Sequence, residues 1–329
     1  MLVLSRTEVE ALLDMSSLID ALGPAMADLS AGRASVPPRV ATTVPPDGFL
    51  GAMPGHVPSS GVLMSKLVSV FPGNAGTALP THQAVVVTFD PDTGRPAALL
   101  DGTAITAART AAGSALSVRL LARDDAAVLA ILGTGVQARS HADAMSRVRS
   151  FREIRVAGRD PARAEALAAE LRRTGHGNAR AAKSYEEAVD GADVVCATTH
   201  AVEPVVRRAW LAAGTHVTSV GFNAAGREVD DATVAEALVC VESRAAALAD
   251  FPTGSNDLLE PIRRGVITAD HVHAEIGELV AGTRPGRTSR DQITLYKSVG
   301  VAVQDAVAAA LVLAAAHRQG IGQHITLDG

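Results

Sequence analysis

The sequence predicts an α/β protein: a doubly wound parallel sheet in the middle of the chain, and an α+β domain to which both chain ends contribute. Three observations predict it. After Asp124-Asp125, short apolar runs alternate with helical patterns, the order expected of right-handed strand–helix–strand crossovers. The first of those runs, Val128-Leu129-Ala130-Ile131-Leu132, leads straight into Gly133-Thr134-Gly135-Val136-Gln137-Ala138 and a helix. The chain closes on a long helical pattern over 298–318, which we expect to return to the N-terminal part. At 329 residues there is room for two domains, set here at 1–117 with 300–329 and at 118–299.

The elements follow in order. Residues 2–4 read as a strand and 7–29 as helical, with Thr7 and Glu10 spaced as a capping box. Residues 32–60 are rich in Pro and Gly, including Pro37-Pro38 and Pro45-Pro46, and read as loop or edge strand. Strands are expected at 61–70, 83–90 and 96–100; the turn Pro91-Asp92-Thr93-Gly94 makes the last two antiparallel. A small-residue helix covers about 105–122. In the middle region the strands are 127–132, 153–157, 193–197, 216–220 and 238–241, and the helices are 138–148, 161–173, 184–189 and 229–237.

Composition narrows the function classes. The chain is 47% hydrophobic and 20% charged, as suits a globular protein with a large core. A net charge of −5, 3% aromatics and no basic run with interleaved aromatics exclude nucleic acid as a partner. The apolar stretch 306–316 is far short of the ~20 residues that span a bilayer, and no basic-then-apolar leader opens the chain. Cys196 and Cys240 each sit in an apolar run and read as buried reduced thiols, which fits a cytoplasmic protein. His56 and His82 lack metal-ligand spacing, so no metal is expected.

The glycine turn carries the first chemistry. Gly133 permits the tight turn, Gly135 lets a pyrophosphate approach the backbone, and Ala138 lets the helix pack against the strand; Thr134, Val136 and Gln137 complete the loop. The helix N-terminus then presents N–H groups to the phosphates. This reads as a dinucleotide site, with an ordinary βα turn as the alternative. At the tip of the second strand stands Gly158-Arg159 rather than a carboxylate, and Asp160 before Pro161 reads as a helix cap. Arg159 therefore favours NADP(H) over NAD(H), unless it is a solvated loop charge.

Three further cations stand out. If Thr106 caps the helix that follows, Arg109 lies in its first turn, where the dipole disfavours a cation unless an anion meets it. Lys66 interrupts the apolar strand Val62-Leu63-Met64-Ser65-Lys66-Leu67-Val68; it is either an edge gatekeeper or a substrate contact. Arg39, after Pro37-Pro38, is a third contact or a solvated charge. Met53, Met64, His56 and His82 are candidates for the pocket wall, with Met53 counted as a substrate contact.

Read together, six stretches resemble the ornithine cyclodeaminase/mu-crystallin family along nearly the whole chain. They are Lys66 through Asn74, Leu79-Pro80-Thr81-His82-Gln83, Thr106 through Ala112, Leu132 through Ala138, Ala213-Gly214-Thr215-His216-Val217, and Tyr296 through Asp305. The resemblance implies a Rossmann-type domain plus a substrate and dimerisation domain built from both chain ends, hence a homodimer. It implies hydride chemistry at the Cα–N bond of a small carboxylate-bearing imino or amino acid, as in Δ1-pyrroline-2-carboxylate and ketimine reductases, alanine dehydrogenase and ornithine cyclodeaminase. Arg39, Lys66 and Arg109 fall where the family clamps the substrate carboxylate; Thr81, Val299 and Gly300 match further pocket positions. Thr110, Thr198, Thr199, Val220 and Arg227 lie with the dinucleotide contacts.

One position departs from the family pattern. Cyclodeaminase-like members carry a catalytic Asp where this chain has Asn223, in Gly221-Phe222-Asn223-Ala224-Ala225-Gly226-Arg227-Glu228-Val229-Asp230. An amide cannot act as a general base, although its oxygen can orient the substrate nitrogen. Glu228 and Asp230 read as acids at the start of a helix. The resulting reading is an imino-acid reductase or amino-acid dehydrogenase with Lys66, Arg109 and Asn223 at the reacting centre. Its alternatives are an ornithine cyclodeaminase and a non-catalytic NADPH-binding protein.

Overall fold

The computed structural model describes residues 1–176, 178–250 and 253–327; Gly177, Phe251, Pro252, Asp328 and Gly329, which the two expected domain ranges take in, lie outside the described residues. The chain divides into two compact units, Met1–Arg109 with the stretch from Gly300 on, and Thr110–Val299. The sequence reading sets the first boundary further along the same helix, at 117/118.

The first unit begins with β1 (Leu2–Leu4), α1 (Arg6–Leu12) and α2 (Met15–Ser30), followed by β2 (Val40–Val44), β3 (Gly48–Val57), β4 (Val62–Val70), β5 (His82–Phe89), β6 (Pro96–Asp101) and the start of α3 (Gly102–Leu121). The helical pattern expected over 7–29 is two helices. Ser5 and Glu8, not Thr7 and Glu10, form the first capping box, and the Asp14 side chain starts the second helix by accepting from Ser17 N at 2.8 Å. The segment expected to be loop or edge strand contains β2 and the ten-residue β3. Pairing from Phe49↔Val70 to Val57↔Val62 overrides the weak strand propensity of its Gly and Pro residues. Pro45-Pro46 falls in the turn between β2 and β3.

The second unit contains β7 (Val128–Leu132), α4 (Val136–Val148), β8 (Glu153–Ala157), α5 (Pro161–Arg173), β9 (Ala179–Ala181), α6 (Tyr185–Val189), β10 (Val194–Ala197), β11 (His216–Ser219), α7 (Asp231–Glu236), β12 (Leu238–Val241), α8 (Arg244–Ala247), α9 (Asn256–Arg263), β13 (Val272–Glu275), α10 (Ile276–Val280) and β14 (Thr294–Lys297). Its eight strands run in the order β13-β12-β14-β11-β10-β7-β8-β9, with every pairing parallel. From β7 the chain builds outward one way through β8 and β9 and the other way through β10 and β11, so the switch point lies between β7 and β10. The sequence reading misses β9, β13 and β14, of three, four and four residues. Cys196 and Cys240 are buried and free.

Back in the first unit, α11 (Ala302–Gln319) and β15 (Gln323–His324) complete a seven-stranded sheet of order β15-β1-β6-β5-β4-β3-β2. Helix α11 packs on β3, β4 and β5 and against α1 and α2. Its buried face is mostly Ala and Val, from Ala302 and Val303 to Val312 and Ala316, which lets the helix axis come close to the sheet. The expected return of the C-terminal helix to the N-terminal part is what the first unit contains.

Two buried histidines tie elements of the second unit together. His141 on α4 donates Nδ1–H to Gln137 O (2.8 Å) and accepts at Nε2 from Ser114 (3.0 Å). His216 on β11 joins Thr294 Oγ1 (2.8 Å) and Ser117 Oγ (3.0 Å). Burial pushes their pKa values down from 6.5, to about 4 for His141 and about 3 for His216. The folded state holds both neutral while the unfolded chain protonates them below about 6.5, so their contribution to stability is full above that pH and declines below it. Each histidine should then cost about 1.4 kcal/mol per pH unit between about pH 6 and pH 4. Thermal unfolding of wild type and of His216→Gln checks this: the variant should show the shallower fall of Tm with acidification, and equal slopes would rule the linkage out.

Candidate active site

Strand β4 lies between β3 and β5, so Lys66 is not on an edge and the gatekeeper reading fails. Residues paired across an antiparallel sheet share a face. Lys66 stands opposite Met53 and Val86, on the face that α11 covers, and is 1% exposed. Its Nζ donates to both oxygens of Asp305, at 2.9 and 2.8 Å, in the first turn of α11. Arg109 meets the same carboxylate, with Nε 3.1 Å from Oδ1, and its Nη1 donates to Gln304 Oε1 at 3.0 Å. Helix α3 begins at Gly102, with Ala104 N donating to Asp101 Oδ1 (2.7 Å), and Thr106 bonds back to Gly102 O. Arg109 is therefore about two turns in, not in the first turn. The helix dipole does not explain its anion; a carboxylate from the other end of the chain does.

The remaining substrate candidates of this unit gather around that cluster unevenly. Gly300 has φ +78°, and a Cβ there would lie 2.7 Å from Arg109 Nη1, so the guanidinium rests against bare backbone. Arg39 Nη2 is 3.5 Å from Gly300 O. Met53 packs with Val68, Ala84 and Ala302. Met64 and His82 fall on the Lys66 face by register, whereas His56, an odd number of residues from Met53, faces the other way and leaves the pocket wall. Thr81 is exposed in the β4–β5 loop, where its carbonyl accepts from Phe71 N at 2.8 Å.

Charge sets the character of the cluster. Two cations share one buried carboxylate, leaving one net positive charge in an apolar setting while Lys66 is protonated. Burial and the neighbouring Arg109 push the Lys66 ammonium down to about 7, against the pull of Asp305. Burial works to raise Asp305, yet Arg109 and Lys66 hold it below the usual carboxylate range. His82 is pushed down to about 4 by burial and by the same two cations, so it stays neutral.

In the second unit the glycine turn has the geometry a dinucleotide needs. Gly133 has φ +122°, and a Cβ there would lie 2.7 Å from Thr198 O. A Cβ on Gly135 would meet nothing within 4 Å, and this residue caps α4 with no side chain over the helix N–H groups. Ala138 is fully buried, and Val136 is 64% exposed at the mouth of the turn. Asp160 caps α5 through Ala162 N (2.9 Å) and Arg163 N (3.3 Å), leaving Arg159 exposed beyond Gly158. Thr198 Oγ1 donates to Leu132 O at 2.8 Å.

The segment from Gly221 to Asp230 differs from its sequence reading. Helix α7 starts at Asp231 with Asp230 as its cap, whereas Glu228 is 1% exposed and belongs to no helix. Its carboxylate accepts from Thr199 N and Oγ1, Ser219 Oγ and Gly221 N. Asn223 Nδ2 donates to His200 O and Ala201 O, both at 3.2 Å, and its Oδ1 accepts from Ala225 N at 2.9 Å. The amide is thus engaged with backbone on both sides. Arg227 pairs with Asp231.

A family model described as the ornithine cyclodeaminase/mu-crystallin family matches residues 1–320. The chain belongs to this family. It is 40% identical over 315 residues to the ketimine reductase mu-crystallin of Mus musculus, covering 94% of this chain and 95% of that protein. Among solved structures it is similar to the Δ1-pyrroline-2-carboxylate reductase of Thermococcus litoralis in complex with NADH and L-proline, at a TM-score of 0.95 and 37% identity, over 99% of this chain and 100% of that one. It is also similar to an archaeal alanine dehydrogenase dimer with bound NAD, at a TM-score of 0.91 and 31% identity, over 100% of this chain and 99% of that one.

In this family member, Lys66, Arg109, Arg39, Met53 and Gly300 come together in one unit, and Gly133 through Gln137, Thr198, Thr199 and Val220 line strand ends in the other. Sequence reasoning missed Asp305, Gln304, Asp257 and Lys297. A signal was present for two of them: Gln304-Asp305 interrupts the apolar pattern at the start of the last helix. Among the described residues there is no His, Cys, Asp or Glu group fit for a metal ion, and no helix long and apolar enough to cross a membrane.

Proposed function

We propose that the chain is an NAD(P)H-dependent oxidoreductase of the Cα–N bond of a small carboxylate-bearing imino or amino acid. It works as a reductase of a cyclic imine such as Δ1-pyrroline-2-carboxylate and, in reverse, as an amino-acid dehydrogenase. The observation that carries this reading is the buried Lys66–Asp305–Arg109 cluster. Its one unbalanced positive charge is neutralised by one carboxylate, and Arg109 offers the planar fork that such a group takes up. Arg39, Thr81 and Gly300 complete the substrate contacts of this unit, and Met53 supplies apolar wall. The names of the similar proteins, a ketimine reductase and a pyrroline-carboxylate reductase in complex with NADH and L-proline, support the substrate class.

The turn at Gly133–Gln137 fits a dinucleotide, because glycine at 133 lets the turn pass Thr198, the space beside Gly135 is open, and α4 presents uncapped N–H groups. Thr110, Thr198, Thr199, Val220 and Arg227 would complete the hold. When bound, the reduced nicotinamide supplies the hydride that reduces the imine carbon. Lys66 commits two ammonium protons to Asp305 and offers the third to the substrate. Asn223 does not act as a base; it shapes the loop. A cyclodeaminase needs a base to deprotonate an amine, whereas an imine can arrive already protonated, which favours the reductase.

Nicotinamide absorbance with Δ1-pyrroline-2-carboxylate and Δ1-piperideine-2-carboxylate tests the reading. NADPH should be oxidised in preference to NADH, and Arg159→Ala should cut that preference about tenfold or more by removing a 2′-phosphate partner. No oxidation of either dinucleotide would overturn the reading for these substrates. Because Lys66 titrates at about 7, kcat/KM for reduction should fall about tenfold per pH unit above that value. Lys66→Arg stays charged, so the falling limb should disappear even as the maximum drops; a limb that persists belongs to another group.

A homodimer completes the proposal. On the face of the sheet away from α11, Val40, Ala52, Leu67 and Val85 form one cross-strand row, with Leu50 beside it. Val40, Leu50, Leu67 and Val85 are 38–64% exposed, an apolar stripe that suits a second copy of the chain. Light scattering should give a dimer for wild type and a monomer for Leu67→Glu; a dimer unaffected by that charge would move the interface elsewhere.

A further inference from the structure

We infer that Glu228 is a positioning residue for the dinucleotide, latching the loops that follow β10 and β11 into one preformed surface. The inference rests on the reading that the second unit binds NAD(P)(H). Glu228 receives four hydrogen bonds, from Thr199 N (2.6 Å), Thr199 Oγ1 (2.7 Å), Ser219 Oγ (2.7 Å) and Gly221 N (2.7 Å). Every partner is a donor, which is the environment of a carboxylate that acts only as an acceptor. Thr199 belongs to the loop after β10; Ser219 and Gly221 flank the end of β11. Both strand ends lie on the carboxyl edge of a parallel sheet, beside its switch point, which is where such sheets bind ligands.

The latch is itself braced. Lys297 is fully buried at the end of β14, and its three ammonium protons go to Ser219 Oγ (3.0 Å), Gly221 O (2.8 Å) and Asp257 Oδ2 (2.8 Å). Asp257 returns the connection through Oδ1, which accepts from Glu228 N and Val229 N, both at 2.8 Å. The Gly221 peptide is therefore clamped on both sides, its N–H by Glu228 and its C=O by Lys297. A Cβ at Gly221 would overlap the Glu228 carboxyl carbon, so the fit requires glycine there.

The strand register does not need this network, because β10, β11 and β14 are already paired along their lengths. What the network adds is order in the loops beyond the ladder. A ligand that needs those loops in one arrangement then does not have to order them on binding. A carboxylate held by four donors does this more firmly than a neutral group, since charge-assisted hydrogen bonds are the stronger ones.

The test is the dissociation constant for NADPH, read from nicotinamide fluorescence well below Tm, for wild type, Glu228→Gln and Ser219→Ala. Gln cannot accept from all four donors, because its amide nitrogen is itself a donor; NADPH should bind about tenfold or more weakly. Ser219→Ala removes one donor and the bridge to Lys297, and should cost a smaller, measurable factor of about three to ten. At saturating NADPH, KM for the imine should stay within about twofold of wild type in both variants, because the carboxylate cluster is untouched. A folded Glu228→Gln that binds NADPH within about twofold of wild type overturns the inference. Should that variant fail to fold, an unchanged Kd in Ser219→Ala overturns it instead. Wild type that binds neither NADPH nor NADH would defeat the cofactor reading itself, a result distinct from wild type binding and both variants binding equally.

Discussion

Asp305 holds two cations in a dry interior, and that one carboxylate constrains the rest of its unit. Burying an ammonium or a guanidinium without a partner costs several kcal/mol, and a pair recovers it only when the geometry is good. Lys66 and Arg109 both meet Asp305 at hydrogen-bonding distance, although they lie 239 and 196 residues away from it in the chain. The C-terminal helix must therefore pack on the N-terminal sheet, and the whole Thr110–Val299 unit becomes an insertion between the two parts. One carboxylate for two cations leaves a residual charge while Lys66 is protonated, which is what distinguishes the cluster from a closed ion pair.

The two units present positive charge in different ways. The first concentrates formal charge on side chains locked by a sheet and a helix. The second uses backbone: a helix N-terminus left uncapped at Gly135, and glycine at the one position where a side chain would strike Thr198. Side-chain charge suits a small monoanion whose position decides the chemistry. Backbone N–H groups suit an extended phosphate that must be held along its length.

The buried Glu228, Lys297 and Asp257 represent a third use of charge, directed inward at the protein's own loops. Asn223 belongs with them. Its amide joins the turn at 223–225 to the backbone at 200–201.

Local features were legible in the sequence. The strand, turn and helix around Gly133 follow from three small residues at fixed spacing, and the start of α5 follows from Asp160 before Pro161. The antiparallel run β5–β6, the two buried thiols and the return of the last helix also follow from pattern and composition. Other features were decided only in three dimensions. Pairing with β4 made a strand of Gly- and Pro-rich residues 48–57, parallel neighbours on both sides made a strand of β14, and pairing with β8 made one of β9. Lys66 reads the same in sequence whether it guards an edge or sits in a central strand; only the strand order separates the two. Arg109 found its anion in Asp305, and Glu228 left the helix it was expected to start. The physical reason is common to these cases: caps, turns and periodicity are set by residues a few positions apart, whereas the partner of a buried charge and the neighbour of a strand come from anywhere in the chain.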